Sequence, residues 1–405
     1  MSIVSRLRSP LLRLAGSRWL LVFFILMSLF PLVYPSLYWL TILAYLLAMG
    51  LFALSYDIVL GQTGILSFGQ AASFGLGAYA VYWVVNAGYP FAVGVVAGML
   101  LGAGVNVVMG VAIRRVKGVS YAMFTLAFAE VIYLYLSNQV ALTGGEGGVL
   151  APRPAFLQNT NVTLVFTGVL LAAAICVGYV LISFYLRRGE RVKGVVGIVI
   201  LAGLVIYGLY NFDLSVLPSL SWPIAAFTVN AYLLSVLLLF VSYFLVSRLM
   251  RSPLGAVMVA ARENDERTNM LGFDTFKYKL VSMGISGLFA GLAGAMLASL
   301  ASFVITPDLM SATYTLNVLL YCILGGIGTL IGPIIGAFII QFLYFNIGTI
   351  SQMIGFPSLA DWWMLIIGVF YILVVLFLPY GVVWTVRLKG RSTLSRLRRA
   401  LGGKE

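Results

Sequence analysis

The 405-residue sequence contains no histidine. That removes the commonest metal ligand and the side chain best suited to carrying protons near neutral pH. Cysteine is nearly as scarce: Cys176 and Cys322 are the only two, and each sits inside an apolar run. They read as buried thiols rather than as a disulfide or half of a metal site. Charged residues make up only 9% of the chain, where a soluble domain carries about a quarter. No GxxxxGK[ST] phosphate loop, HExxH or GxSxG motif occurs, which leaves no catalytic residues to assign and argues against an intramembrane enzyme.

Apolar surface is present in excess. Hydrophobic residues account for 62% of positions, and the mean hydropathy is +1.06. No soluble fold of this length can hide that much apolar surface, so the partner must be a lipid bilayer. The expected fold is an all-α, polytopic transmembrane helical bundle. Its 43 glycines suit close helix contact and local breaks within spans.

The net charge of +13 is arranged for a membrane, not for nucleic acid. Apart from Arg153, the 25 lysines and arginines fall into five clusters: Arg6–Arg18, Arg114–Lys117, Arg187–Lys193, Arg248–Lys279 and Arg387–Lys404. Each flanks an apolar stretch, as cytoplasmic loops do under the positive-inside rule. The basic start followed by Trp19–Tyr34 imitates a signal peptide, but no small-residue cleavage site follows, so it reads as a retained first span.

Apolar segments run over 19–34, 37–59, 66–86, 90–113, 119–138, 162–186, 194–211, 225–247, 277–303, 313–328, 330–346 and 361–379. With the basic clusters inside, the linkers 34–37, 86–90, 138–161, 211–224 and 303–313 lie outside. The stretch 313–346 then crosses an even number of times or forms a re-entrant hairpin, reversing at Gly325-Gly326-Ile327-Gly328. This gives about twelve spans (10–12), some shorter than the ~20 residues of a full crossing, with both termini cytoplasmic. The organisation is a basic cytoplasmic N-terminus over 1–18, a transmembrane domain over 19–379 containing a cytoplasmic loop at 248–276, and a basic cytoplasmic tail over 380–405. That loop is too short to bind and hydrolyse ATP.

Three segments carry polar chemistry. The first, Asp57–Tyr79, interleaves glycines 61, 64, 69, 75 and 77 with Gln62, Thr63, Ser67, Gln70 and Ser73. Irregular backbone at membrane depth must be buried in protein or line a cavity. A helix starting after Gly64 would set Ser67, Gln70, Phe74 and Gly77 on one face, with free N–H groups and a positive dipole end suited to a carboxylate. A glycine-rich packing face without a ligand is the alternative. The second segment, Phe124–Gly148, places Glu130 near the middle of a span, where an ionised group costs about 2.5 kcal/mol or more. Glu130, Tyr133 and Ser137 share a helical face leading to the outer loop at Thr143, Gly144 and Gly145. Glu130 is either part of a solute path or a structural hydrogen-bonding partner of a neighbouring helix.

The third segment, Arg248–Lys279, starts a short amphipathic helix at Ser252-Pro253, an N-cap followed by proline at the first helical position. Gly272 marks its stop. Rich in both signs of charge, it suits a groove on a partner protein better than an anionic lipid surface.

Together these stretches resemble the permease subunits of branched-chain amino acid ABC importers, of the LivM type. The matching motifs are GQTGILSFGQAASFGLGAY, FTLAFAEVIYLYLSNQVALTGGEGG, RSPLGAVMVAARENDERTNMLGFDTFKYKL, GLFAGLAGAML and VLLYCILGGIGTLIGPIIGAF, spread from residue 57 to 338 in the family's order. The resemblance implies an inner-membrane subunit paired with a second homologous permease, two cytoplasmic ATPase subunits and an extracytoplasmic substrate-binding protein. ATP and Mg²⁺ would bind the ATPases, leaving no cofactor or metal in this chain. It also implies that Ala261, Arg262, Glu263, Asn264, Asp265, Leu271 and Gly272 dock on the ATPase as a coupling loop. Gly61, Gln62, Thr63, Gly64, Ser67, Gln70, Glu130 and Tyr133 would line the translocation path. Gln70 stands where the family usually has histidine, so a titratable group is absent there. Residues 162–211 form an insertion relative to compact members. Permeases for urea or short amides share the motifs, and an ion-coupled secondary transporter using Glu130 is the alternative of a different class.

Overall fold

The computed structural model describes residues 36–116, 118–152, 222–300, 304–354 and 362–377, with a few isolated positions beside them. The expected segments 162–186 and 194–211, most of 19–34, and Cys176 lie outside the described residues. The chain divides into two compact units, residues 1–44 with 153–240 and residues 45–152 with 241–405. In the first, the Tyr232 hydroxyl donates to the Met27 carbonyl at 2.6 Å and the Asn230 amide to the Leu157 carbonyl at 2.7 Å.

Helices dominate. Helix α1 (Leu37–Asp57) runs into a π-helical turn at Ile58–Gln62, followed by α2 (Gln70–Asn86), α3 (Phe91–Val111) and α4 (Val119–Asn138). A two-residue strand β1 (Val149–Leu150) comes next, then α5 (Trp222–Met250), α6 (Pro253–Glu263), α7 (Asp265–Met270) and α8 (Thr275–Leu297). Strand β2 (Val304–Ile305) precedes α9 (Ala312–Gly325), α10 (Ile331–Ile354) and α11 (Trp363–Phe377). Among the described residues, six helices are long and apolar enough to cross a membrane, within Leu37–Gln62, Phe91–Arg114, Val119–Asn138, Phe227–Met250, Thr275–Leu297 and Ile331–Thr349.

The centre of the second unit is the packing of α2, α3 and α8. In lipid no hydrophobic force draws apolar helices together, so close van der Waals approach has to do it, and small residues permit that approach. A Cβ added to Gly291 of α8 would overlap the Gly98 carbonyl of α3, and one added to Gly77 of α2 would overlap the Gly291 backbone. Helices α9 and α10 pack together and reverse at the glycine run expected to turn the chain. Their reversal uses Gly326 (φ 110°), Gly328 (φ 78°) and Leu330 (φ 60°). At 14 residues α9 is about 21 Å long, short of the ~30 Å hydrocarbon core.

Each end of the unit is tied by specific contacts. At one, here the ribbon end, β1 pairs antiparallel with β2, Val149 opposite Ile305. The Trp83 indole donates to the Leu142 carbonyl at 2.8 Å and the Tyr79 hydroxyl to the Ile305 carbonyl at 3.1 Å. The linkers expected on one side of the membrane, 138–161 and 303–313, thus meet. At the other, the basic end, the Arg114 guanidinium lies 5.3 Å from the Phe276 ring centre.

Two expectations change. The second helix starts at Gln70, not after Gly64, so Ser67 precedes it in the irregular backbone. The Arg248–Lys279 segment holds two helices instead of one. Ser252 caps α6, accepting from the Gly255 amide at 3.5 Å with Pro253 at the first turn, as the sequence indicates. Asn264 then breaks the helix with extended backbone, and its side chain caps α7 by accepting from the Arg267 amide at 2.9 Å. Gly272 follows in the left-handed region at φ 88°.

Candidate coupling site

The break between α1 and α2 is solved by protein groups. Bare peptide groups in lipid cost several kcal/mol each, and here hydroxyls from other helices take them. The Phe68 amide donates to Thr125 Oγ1 of α4 at 2.9 Å and the Ala71 amide to Thr315 Oγ1 of α9 at 3.0 Å. The Gly69 amide donates to Ser67 Oγ at 3.4 Å, and the Tyr56 hydroxyl donates to the Ser67 carbonyl at 2.9 Å. Three amides around the start of α2, those of Phe68, Gly69 and Ala71, are therefore engaged by hydroxyl oxygens.

Behind the break lies a buried polar chain. Asn106 Nδ2 donates to Gln70 Oε1 at 3.0 Å, Gln70 Nε2 donates to Ser286 Oγ at 2.6 Å, and Ser286 donates to the Ser55 carbonyl at 2.6 Å. Gln70 thus uses both faces of its amide at once, joining α1, α2, α3 and α8. Thr63 Oγ1 donates to the Val59 carbonyl at 2.7 Å and accepts from Ser282 of α8 at 3.3 Å.

Toward the basic end, Asp57 is the residue that sequence reading passed over. It ends α1, is fully buried, and accepts the Gly328 amide at 2.7 Å and the Leu330 amide at 3.0 Å. A buried carboxylate is tolerable only when such donors replace water. Gln62 Nε2 donates to the Gly328 carbonyl at 3.1 Å, binding the same two turns from the other side. Gly61 has no room for a side chain: an added Cβ would overlap the Asp57 carboxylate and lie 2.6 Å from the Gly328 nitrogen.

The loop between α5 and α8 reaches this cluster. Arg262 of α6 donates through Nη1 to the Gly61 carbonyl at 2.5 Å, while Nη2 and Nε pair with Glu263 at 2.6 and 3.2 Å. Its aliphatic stem fills the space beside Gly64, where an added Cβ would stand 2.7 Å from Arg262 Cγ. Lys279 pairs with Asp265, and the Thr275 amide donates to Asn269 at 3.1 Å, so α7 is fastened to the start of α8. Met270 and Leu271 are 86% and 71% exposed, an apolar tip facing away from the body. Of the residues expected in a docking loop, Arg262 turns inward to its own chain while Leu271 is presented outward.

At the ribbon end, Glu130 accepts from the Ala312 amide at 3.1 Å, at the start of α9. This is the structural bond to a neighbouring helix that the sequence left as one of two alternatives. The Tyr133 hydroxyl donates to Asp308 at 3.1 Å, and Ser137 bonds back to the Tyr133 carbonyl at 2.7 Å. Thr143 is buried, donates to the Leu136 carbonyl at 2.8 Å and accepts from the Gly145 amide at 3.2 Å, while Gly144 takes φ 74°. Cys322 is a buried free thiol, and among the described residues no cluster of three acids or cysteines could hold a metal.

The first described span is thus broken, and the loop between two later spans holds the break. Residues 38–375 match the family model for the permease component of the branched-chain amino acid transport system. The chain belongs to this permease family. It is similar to the high-affinity branched-chain amino acid transport system permease protein LivM of Escherichia coli, 25% identical over 348 residues, covering 84% of this chain and 68% of the relative. The probable LivM permease of Methanocaldococcus jannaschii is 23% identical over 348 residues, covering 82% and 89%. The autoinducer 2 import system permease protein LsrC of Photorhabdus laumondii is 29% identical over 151 residues, 36% of this chain and 41% of the relative. The chain spans 68% and 66% of the length of the E. coli and Salmonella LivM proteins. No solved structure matches it.

Proposed function

We propose that this permease is the membrane subunit of an ATP-driven importer for branched-chain amino acids. It receives solute from an extracytoplasmic binding protein and releases it to the cytoplasm by alternating access. The observation that carries this reading is the family match over residues 38–375. The seating of Arg262 on the broken first described span supports it, because an external motor needs such a point of purchase on the membrane domain.

In this scheme a second homologous permease completes the pathway, and two cytoplasmic ATPase subunits bind ATP and Mg²⁺ and dock on the α6–α7 loop. The chain lies in the inner membrane with both termini cytoplasmic and about twelve spans. Gly61, Gln62, Thr63, Gly64, Ser67, Gln70, Glu130 and Tyr133 flank the route that opens during the cycle. The route binds solute weakly, since a tight site would retain it.

The test is uptake into proteoliposomes holding the full assembly, with labelled leucine, urea and a short amide in parallel. ATP-dependent, binding-protein-dependent leucine uptake is expected. Uptake of urea or amide alone would reassign the cargo. Uptake driven by an ion gradient without ATP would replace the importer reading with a secondary transporter.

A further inference from the structure

Asp57 and Arg262 reach one joint from opposite sides. Asp57 holds the α9–α10 turn by two backbone amides, and Gln62 adds a third bond to the same turn. Arg262 approaches from outside this bonded pair. Its Nη1 donates to the Gly61 carbonyl and stands 3.2 Å from where a Gly328 side chain would begin. The glycines at 64 and 328 therefore leave a seat that fits the stem and guanidinium of Arg262.

The two residues differ in what they risk. Asp57 is fully buried, so losing its amide partners would strand a carboxylate without water, and the turn must follow α1 wherever it goes. The Arg262 side chain is 35% exposed and its partner Glu263 is 68% exposed. A pair that open, between neighbours on α6, adds little to fold stability; the link between α6 and the membrane segment is the bond from Arg262 to the Gly61 carbonyl. We propose that Arg262 and Asp57 are positioning residues acting in series: Arg262 carries displacement of α6 into the Gly61 turn, and Asp57 makes the α9–α10 turn move with it.

This rests on the ATP-driven importer reading. The test measures solute moved per ATP hydrolysed in the reconstituted complex with its ATPases and binding protein. Arg262→Gln and Asp57→Asn should each lower that ratio about tenfold, within the usual range of coupling between sites. Arg262→Lys, which keeps a donor for the Gly61 carbonyl, should recover part of it. Combining Arg262→Gln with Asp57→Asn should add no further loss, because a chain in series is already broken.

Uptake and hydrolysis falling together at a constant ratio would overturn the proposal, as would losses that multiply in the double variant. If Asp57→Asn does not assemble, the ratio in Arg262→Gln and its recovery in Arg262→Lys decide alone. A wild-type complex without ATP-driven uptake would instead bring down the importer reading, and this proposal with it.

Discussion

Asp57 and Gly328 stand 271 positions apart, and the Asp57 carboxylate accepts the Gly328 amide proton at 2.7 Å. That bond joins the end of the first described span to the reversal of a helical hairpin near the other end of the chain. Arg262 sits on the same joint, so the loop between α5 and α8 has direct access to two membrane elements.

Gly291 tests the close packing of α2, α3 and α8. Gly291→Ala forces a methyl into the Gly98 carbonyl and should cost about 1–3 kcal/mol, the usual penalty for overpacking a filled interior. Gly348→Ala, where nothing lies within 4 Å, should be neutral. Thermal unfolding of the detergent-purified protein compares the two, and equal midpoints would refute the packing account.

Gln70 tests the polar chain. Gln70→Ala removes the acceptor of the Asn106 amide and one of the two partners of Ser286, which keeps its bond to the Ser55 carbonyl; the orphaned Asn106 amide should cost about 1–3 kcal/mol. Gln70→His can donate and accept together, so it should keep most of the stability that alanine loses. Unfolding midpoints of the three proteins provide the comparison, and histidine as damaging as alanine would contradict it.

Asn264 tests the junction of α6 and α7. Asn264→Ala deletes the cap on the Arg267 amide and should cost about 1 kcal/mol, while Asn264→Asp should cost almost nothing. Under the importer reading, loosening α7 should also reduce stimulation of the ATPases by loaded binding protein, with recovery in the aspartate variant. ATPase assays on the assembled complex read this directly.

Leu271 tests the outward tip. It is 71% exposed, so Leu271→Ser should leave the melting temperature of the isolated chain unchanged. If the tip enters an ATPase groove, the same change should weaken recovery of ATPase subunits with the purified permease. Full recovery together with normal uptake would move the contact elsewhere.

Much of the helical order was legible because punctuation and apolar length agree. Helix α4 occupies Val119–Asn138, matching the apolar segment 119–138, and α3 starts just after Pro90 as expected. The glycines of 61–69 announced a break, but the restart at Gln70 depends on Thr125 and Thr315 hydroxyls brought in by distant helices. Asn264 carried a readable signal, an N-cap residue followed by Asp265 and Glu266 in the first turn, that a single-helix assignment ran over. Asp57 was open to the reasoning applied to Glu130, a lone acid at the end of an apolar run. Its partners are backbone amides, which no side-chain pattern displays.

The ribbon of Val149–Leu150 with Val304–Ile305 has a mechanical consequence. It staples the chain leaving α4 to the chain leaving α8, and the bonds from Tyr133 to Asp308 and from Ala312 to Glu130 bolt α4 to the approach to α9. Any displacement at that end therefore carries these parts together, because parting α4 from the approach to α9 would break the ribbon and both bonds.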